Sequence, residues 1–303
     1  MNLSSGVSVV VPVFNGQQTI RPLLDSLLAS AYPADRFEII IVDNGSNDAT
    51  LSIVRQYPVT LLEQCEIRSS YAARNMGIAR ARFPIIAFTD ADCQVDNRWL
   101  AEGVGAMEES RADLIGGRIA FTFSPRPTAA ELYDSLVHMR NDVLVATKHR
   151  AVTANLFARA KLFKDIGPFP EVLSGGDGIW TTRAVAQGYI LRYAPLAIVR
   201  HPARGLDEVL TKAVRVGGGF RVNMEGKPLK RKMRLVALSV VPPMPWATRR
   251  LIASRGSAWM KSRQTGIWWV SYLYSLAWGR AALVSLLKRS MPESREARPE
   301  PRV

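Results

Sequence analysis

The chain has 303 residues, about two domain-lengths, and its 48% apolar and 22% charged residues exclude a disordered, collagen-like or purely coiled-coil protein. Two cysteines supply neither a disulfide scaffold nor a four-cysteine zinc site. The net charge of +14 is lopsided: residues 227–303 carry 16 basic against 3 acidic side chains, whereas residues 1–226 carry 24 against 23.

The first residues lack the basic region and small-residue cleavage site of a secretory signal, so the body is expected in the cytoplasm with both thiols reduced. Val7–Val13 is a β-branched run of buried-strand length, stopped by Asn15-Gly16. Apolar spacing predicts a helix over 20–28. Glu38–Val42 reads as a second strand running into Asp43-Asn44. Asn47 or Asp48 can cap a helix through Gln56. A short strand over 59–62, a helix over 71–82 and a strand over 85–89 follow, then a helix from Asn97 to Glu109 capped by Asp96. Strands alternating with helices imply βαβ units and a parallel sheet. In such sheets ligands bind beyond the carboxyl ends of the strands, and the ends of the first, second and fourth strands here carry polar clusters: Phe14-Asn15, Asp43-Asn44 and Asp90-Ala91-Asp92.

The second half is less regular. It reads as a helix over 128–147, a strand over 152–157, the loop Gly175-Gly-Asp-Gly178 opening a helix over 179–187, and a strand over 196–199 ending near His201. The run Lys227–Arg234 marks a composition break. This divides the chain into a body over 1–226, a helical basic and aromatic segment over 227–290, and a Pro/Glu/Arg-rich, disordered tail over 291–303.

Asp90 and Asp92 flank one alanine immediately after a strand. Two carboxylates so placed can hold Mg²⁺ or Mn²⁺, whose shell is often completed by phosphate oxygens; an aspartate-rich turn capping the next helix is the plainer alternative. The four segments Val7–Gly16, Ile41–Thr50, Ala73–Arg80 and Phe88–Asp92 occur in an order and spacing that resembles the family 2 glycosyltransferases, and the resemblance continues through Asn155–Arg159 and Phe163–Phe169. It implies an α/β fold of the GT-A type: a Rossmann-like, mostly parallel sheet with flanking helices. It also implies roles. Pro12 and Phe14 fall where the family's first loop lines the nucleotide pocket, Asp43 where the nucleoside is hydrogen-bonded, and Arg74 near the base or phosphates. Asp90 and Asp92 fall on the motif that holds the donor diphosphate through a divalent cation, and His201 near a histidine that in some members contacts the metal or the diphosphate. Packing and turn formation are the alternative for each.

Inverting transfer needs a carboxylate to take the acceptor hydroxyl's proton. The family pattern is Gly-Glu-Asp with an arginine six residues later; here Gly175-Gly-Asp177 and Arg183 are in register, but Gly176 stands where the family has glutamate. Asp177 is the candidate base, with a helix cap as its alternative role. The resemblance thus implies a nucleotide-diphosphate sugar donor, uridine being the commoner base, with Mn²⁺ or Mg²⁺ as cofactor. The Gln-x-x-Arg-Trp motif of processive synthases is absent, which implies one sugar per binding event.

Five of seven tryptophans (Trp246, Trp259, Trp268, Trp269 and Trp278) lie in the basic segment, a mixture suited to a membrane surface. Residues 266–287 are about long enough to span a bilayer, but Arg280 in the interior makes a span costly. The segment therefore lies in the interface, spans, or packs on the body. Membrane attachment suits a sugar or lipid-linked acceptor at the cytoplasmic face of the cell membrane, in polysaccharide or glycolipid assembly. A nucleic-acid-binding protein using the basic segment is the rival from another class, disfavoured by the tryptophans and by the lack of a nucleic-acid motif. A degenerate transferase that only binds is the other, motivated by Gly176.

Overall fold

The computed structural model describes residues 5–67, 69–220, 224–256 and 258–287. Strands β1 (Val7–Val13), β2 (Phe37–Asp43), β3 (Thr60–Glu63) and β4 (Ile85–Thr89) pair in parallel in the order β3-β2-β1-β4. Between them lie α1 (Ile20–Leu28), α2 (Thr50–Val54) and α3 (Ser70–Arg80). The sheet then continues through β7 (Asn155–Arg159), β6 (Leu114–Thr122), β8 (Leu191–Pro202) and β5 (Gln94–Val95). β4 with β7, β6 with β7, and β5 with β8 are antiparallel, while β6 and β8 run parallel. The expected parallel sheet holds for the first half and becomes mixed in the second.

Alternation along β1 sorts its side chains onto two faces. Val7, Val9, Val11 and Val13 pack with Leu23 and Leu27 of α1 and with Trp99 and Leu100 of α4 (Trp99–Glu109). Val10 faces the other way, onto the core built by Ala73 of α3, Phe163 of α7 (Lys161–Asp165), and Trp180 of α8 (Gly176–Ala186). There Phe163 and Trp180 stack with centroids 4.4 Å apart. At ~1.5–3 kcal/mol per fully buried large side chain, these two faces carry most of the fold's apolar stabilisation.

Three helix expectations change. Neither Asn47 nor Asp48 caps α2, which starts at Thr50 after Ala49 with no side-chain cap and ends at Val54. The single helix over 128–147 is two: α5 (Ala129–Val137), held by a capping box between Thr128 and Glu131, and α6 (Asn141–Lys148). The break falls at His138–Arg140, where Met139 takes φ +51°. Neither glycine nor proline announces it. Its cause is tertiary, because Arg204 reaches Met139 at the turn and Asp134 beside it from across the fold. Asp96 caps nothing with its side chain; it accepts from Arg98 N–H in the turn before α4, which starts at Trp99.

After β8, α9 (Leu206–Gly218) is followed by α10 (Leu229–Ser239), α11 (Pro245–Arg255) and α12 (Gln264–Leu287). Helical structure is continuous from Trp259 to Leu287, long and apolar enough to cross a bilayer. One face of α12 packs on the body: Ile267 and Val270 join Leu132 and Leu136 of α5, Val209 of α9 and Ile252 of α11 in a third core. The proposed disordered tail, 291–303, lies outside the described residues.

Candidate active site

The carboxyl ends of the strands open into a cavity of about 850 Å³. Its floor is two loops tied to each other. After β1, Asn15 turns at φ +49° and donates N–H to Ser46 Oγ, while Asn47 N–H returns to Asn15 Oδ1 at 3.0 Å. Gly16 N–H donates to Thr50 Oγ1 and Gln17 N–H to Asp48 Oδ2. Pro12 is buried and lines the cavity, and Phe14 stands at its rim, 52% exposed. Asp43 sits behind the lining, its Oδ2 accepting from Gly45 N–H at 3.0 Å and Ser46 N–H at 2.9 Å; Gly45 has φ +83°, a conformation that favours glycine. Buried polar atoms are normally paired. Here Asp43 Oδ1, Asn44 Oδ1 and Arg74 Nε are buried without a partner, all three at the mouths of β2 and α3.

Arg74 reaches from α3 to Asp90, Nη2 to Oδ1 at 2.5 Å, and its Nη1 donates to the Ser70 carbonyl. Asp92, two residues on, faces His201 at the end of β8, with 3.3 Å between Oδ2 and Nε2. His201 Nδ1 lies 2.6 Å from the Pro202 carbonyl oxygen. A carbonyl only accepts, so Nδ1 carries a proton. Arg204 Nη2 lies 3.0 Å from His201 Nε2. Burial alone would raise the Asp92 carboxyl, but His201 and then Arg204 outweigh it and hold it at about 2. A carboxylate beside an imidazole whose other nitrogen is fixed by a carbonyl is a donor set that fits a divalent cation. Cys93 Sγ lies within the same cluster. Burial, and then Asp92 and Asp90, push its thiol well up.

Asp177 lines the cavity from α8. Its Oδ1 accepts from Tyr71 O–H at 3.2 Å and Gly178 N–H at 2.7 Å, and its Oδ2 from Thr153 N–H at 3.2 Å. The N-cap of α8 is Gly175 without a side-chain cap, so Asp177 does not cap the helix; its carboxylate is held by Tyr71 of α3 and the Thr153 backbone. Gly176 has a steric explanation. A Cβ there would lie 2.8 Å from the Pro170 carbonyl oxygen and 3.0 Å from the Tyr71 ring, so the ring that contacts Asp177 occupies the space a larger side chain would need. Burial, then Asp177, push the Tyr71 phenol far above its ordinary value, which keeps it a donor to the carboxylate.

The structure thus brings Pro12, Phe14, Arg74, Asp90, Asp92 and Asp177 around one cavity, with Asp43 and His201 immediately behind its wall. Sequence reading missed a second polar group beside them. Asp134 of α5 is fully buried and accepts from His138 Nδ1 at 2.7 Å and Arg204 N–H at 3.1 Å, with Lys212 Nζ at 3.9 Å. Burial opposes its ionisation, but His138, Lys212 and Arg204 hold the carboxyl at about 2. Burial and then Arg204 draw Lys212 down to about 7. His138 and Lys212 both line the cavity. The four-residue spacing of Asp134 and His138 was the available signal; nothing local pointed to Lys212.

Residues 8–167, more than half of the chain, match the family described as Glycosyl transferase family 2. Glycosyltransferase AglE of Haloferax volcanii is 41% identical over 219 residues, covering 70% of this chain and 72% of AglE. The dodecaprenyl-phosphate galacturonate synthase of Rhizobium johnstonii is 37% identical over 119 residues, 37% of this chain and 35% of that relative's length. Among solved structures, the mannosyltransferase PcManGT of Pyrobaculum calidifontis, in complex with GDP-Man and Mn²⁺, aligns with a TM-score of 0.62 at 23% identity, over 94% of this chain and 88% of its own. S. aureus TarS 1–349 in complex with UDP-GlcNAc gives 0.54 at 18%, over 92% and 90%. At those identities the structures speak for a shared GT-A-like fold, while the family match and AglE speak for descent: this chain belongs to glycosyl transferase family 2.

Proposed function

We propose that the protein transfers one sugar, with inversion, from a nucleotide-diphosphate sugar to an acceptor hydroxyl, working against the cytoplasmic face of a membrane in cell-surface polysaccharide or glycolipid assembly. The observation that carries this reading is a single cavity with Asp90 and Asp92 on one wall and Asp177 on another. The unpaired polar atoms of Asp43, Asn44 and Arg74 are ready partners for a nucleotide. Phe14 at the rim offers a ring face for stacking. A divalent cation held by Asp92 and His201 would screen the diphosphate and stabilise the leaving oxygen. Asp177, oriented by Tyr71 and Thr153, takes the acceptor proton as that oxygen attacks the anomeric carbon. The bond from that carbon to the diphosphate breaks as the new bond forms, and the nucleoside diphosphate leaves with its electrons.

Attachment to the membrane draws support from α12. One face is covered by the body, while Trp269, Leu273 and Leu287 are exposed. An apolar helix left partly uncovered in this way suits contact with the hydrocarbon of a bilayer.

The test is a thermal-melt panel of UDP, GDP and dTDP, each with Mn²⁺, Mg²⁺ or EDTA, on wild type and Asp92→Ala. A ligand that binds only the folded state raises Tm. A rise with one nucleotide that needs metal and disappears in Asp92→Ala is expected; no rise with any of them rejects the donor site. With the donor base known, Asp177→Asn is expected to keep the nucleotide-dependent rise and to lose about 10²–10⁴-fold in transfer rate.

A further inference from the structure

A second cavity, of about 940 Å³, runs between α9 and α12. Leu173, Val214, Ala277 and Val284 line it together with Arg215 and Arg280, and no acidic side chain does. Its depth comes from small residues. A Cβ at Gly217 would lie 2.4 Å from the Trp278 carbonyl oxygen, so the two helices touch there, and one at Gly218 would crowd Leu173 at 3.1 Å. Leu173 and Val214 are 60% and 52% exposed, a large apolar area to leave in water. Arg215 lines this groove and the catalytic cavity alike, and Lys212, one turn earlier on α9, lines the catalytic cavity. Neither Arg215 nor Arg280 forms an ion pair among the described residues.

We propose that this groove seats the hydrocarbon chain of the acceptor, a lipid-linked sugar whose phosphate linker is held by Arg215. The apolar wall selects a chain that water rejects, and arginine unopposed by acid selects an anionic linker. Because Arg215 belongs to both cavities, the linker sits where the chain ends and the catalytic cavity begins, which leaves the sugar beside Asp177. The idea rests on the transferase reading. The acceptor hydroxyl gives its proton to Asp177, its oxygen bonds to the anomeric carbon, and the nucleoside diphosphate departs with the electrons of the broken C–O bond.

The experiment measures binding of farnesyl phosphate, farnesol, inorganic phosphate and phosphatidylglycerol vesicles to the full chain, to Val214→Glu and to Arg215→Gln. Val214 is exposed, so a glutamate there tests the groove without burdening the fold. Farnesyl phosphate is expected to bind at least tenfold more tightly than farnesol or phosphate alone. Each substitution is expected to weaken it at least tenfold while vesicle binding holds. Equal binding of farnesol, or of the variants, overturns the proposal. So does vesicle binding that falls in step with farnesyl phosphate, which would make the groove a seat for bilayer lipid. The nucleotide-dependent melting shift, read in Val214→Glu alongside, separates the two readings: its presence with lost lipid binding isolates the groove, and its absence in wild type fails the donor site instead.

Discussion

Replacing Asp134 with asparagine keeps the side chain's shape and removes its charge. In the native structure that carboxylate meets His138, Arg204 and Lys212 with no exposure to solvent. Its folded value of about 2 against 3.8 is worth about 2 kcal/mol at ~1.4 kcal/mol per pH unit. The sign follows from the direction: a depressed carboxyl contributes stability that is fully present above its unfolded value and is lost as pH falls from there through about 2. Asp134→Asn should therefore be less stable by about 2 kcal/mol at pH 7, and the gap should close as pH drops from 4 towards 2, where the wild type has lost the same contribution. Urea melts of both proteins at pH 7, 5, 4 and 3 measure this. A gap that stays constant with pH would show that the loss is one of packing and hydrogen bonding, and the electrostatic account of Asp134 would be refuted; no gap at pH 7 would refute it more simply.

Three other substitutions probe separate parts of the structure. Gly176→Glu drives a Cβ into the Pro170 carbonyl and the Tyr71 ring; it should cost about 1–3 kcal/mol in a thermal melt, with part of the loss recovered on adding Tyr71→Ala. Asn155, fully buried, accepts from the Trp99 indole and donates to the Arg118 and Ala197 carbonyls. Asn155→Ala strands all three, and roughly 3 kcal/mol or more should disappear from the urea unfolding energy. Arg111 follows α4 at φ +50°, where Arg111 N–H and Ala112 N–H bond back to the Glu108 and Met107 carbonyls. Glycine suits that position, so Arg111→Gly should raise stability by about 1 kcal/mol, visible as a higher urea midpoint.

How far the sequence could be read depends on how local each cause is. Val7–Val13 and Ile85–Thr89 announce themselves because a fully buried strand must be apolar along its whole length. Asp43, Asp90 and Asp92 were legible because a turn at a strand end has few ways to be both polar and short. The strand Leu114–Thr122 was missed: two glycines, Gly116 and Gly117, interrupt it, and the reason they are there is remote. A Cβ at Gly117 would strike the Asn155 amide at 2.4 Å, and only the fold brings that amide near. The break at Met139 and the placement of Lys212 escape for the same reason, each being decided by Asp134 and Arg204 across the tertiary structure. Gly176 looked like a defect in a motif until the Tyr71 ring was seen filling the space.

The unpaired atoms Asp43 Oδ1, Asn44 Oδ1 and Arg74 Nε put durability and work in opposition. Leaving a buried polar atom unmatched costs on the order of 1–3 kcal/mol, so the resting protein is softer than its core alone would make it. Selection for heat resistance would be drawn to these same positions, because an apolar residue at Asn44 removes a liability at once. Variants gathered that way would last longer in a heated tube and grip a polar ligand less well. Tolerance to heat and affinity for nucleotide, scored across substitutions at these three sites, should therefore run in opposite directions.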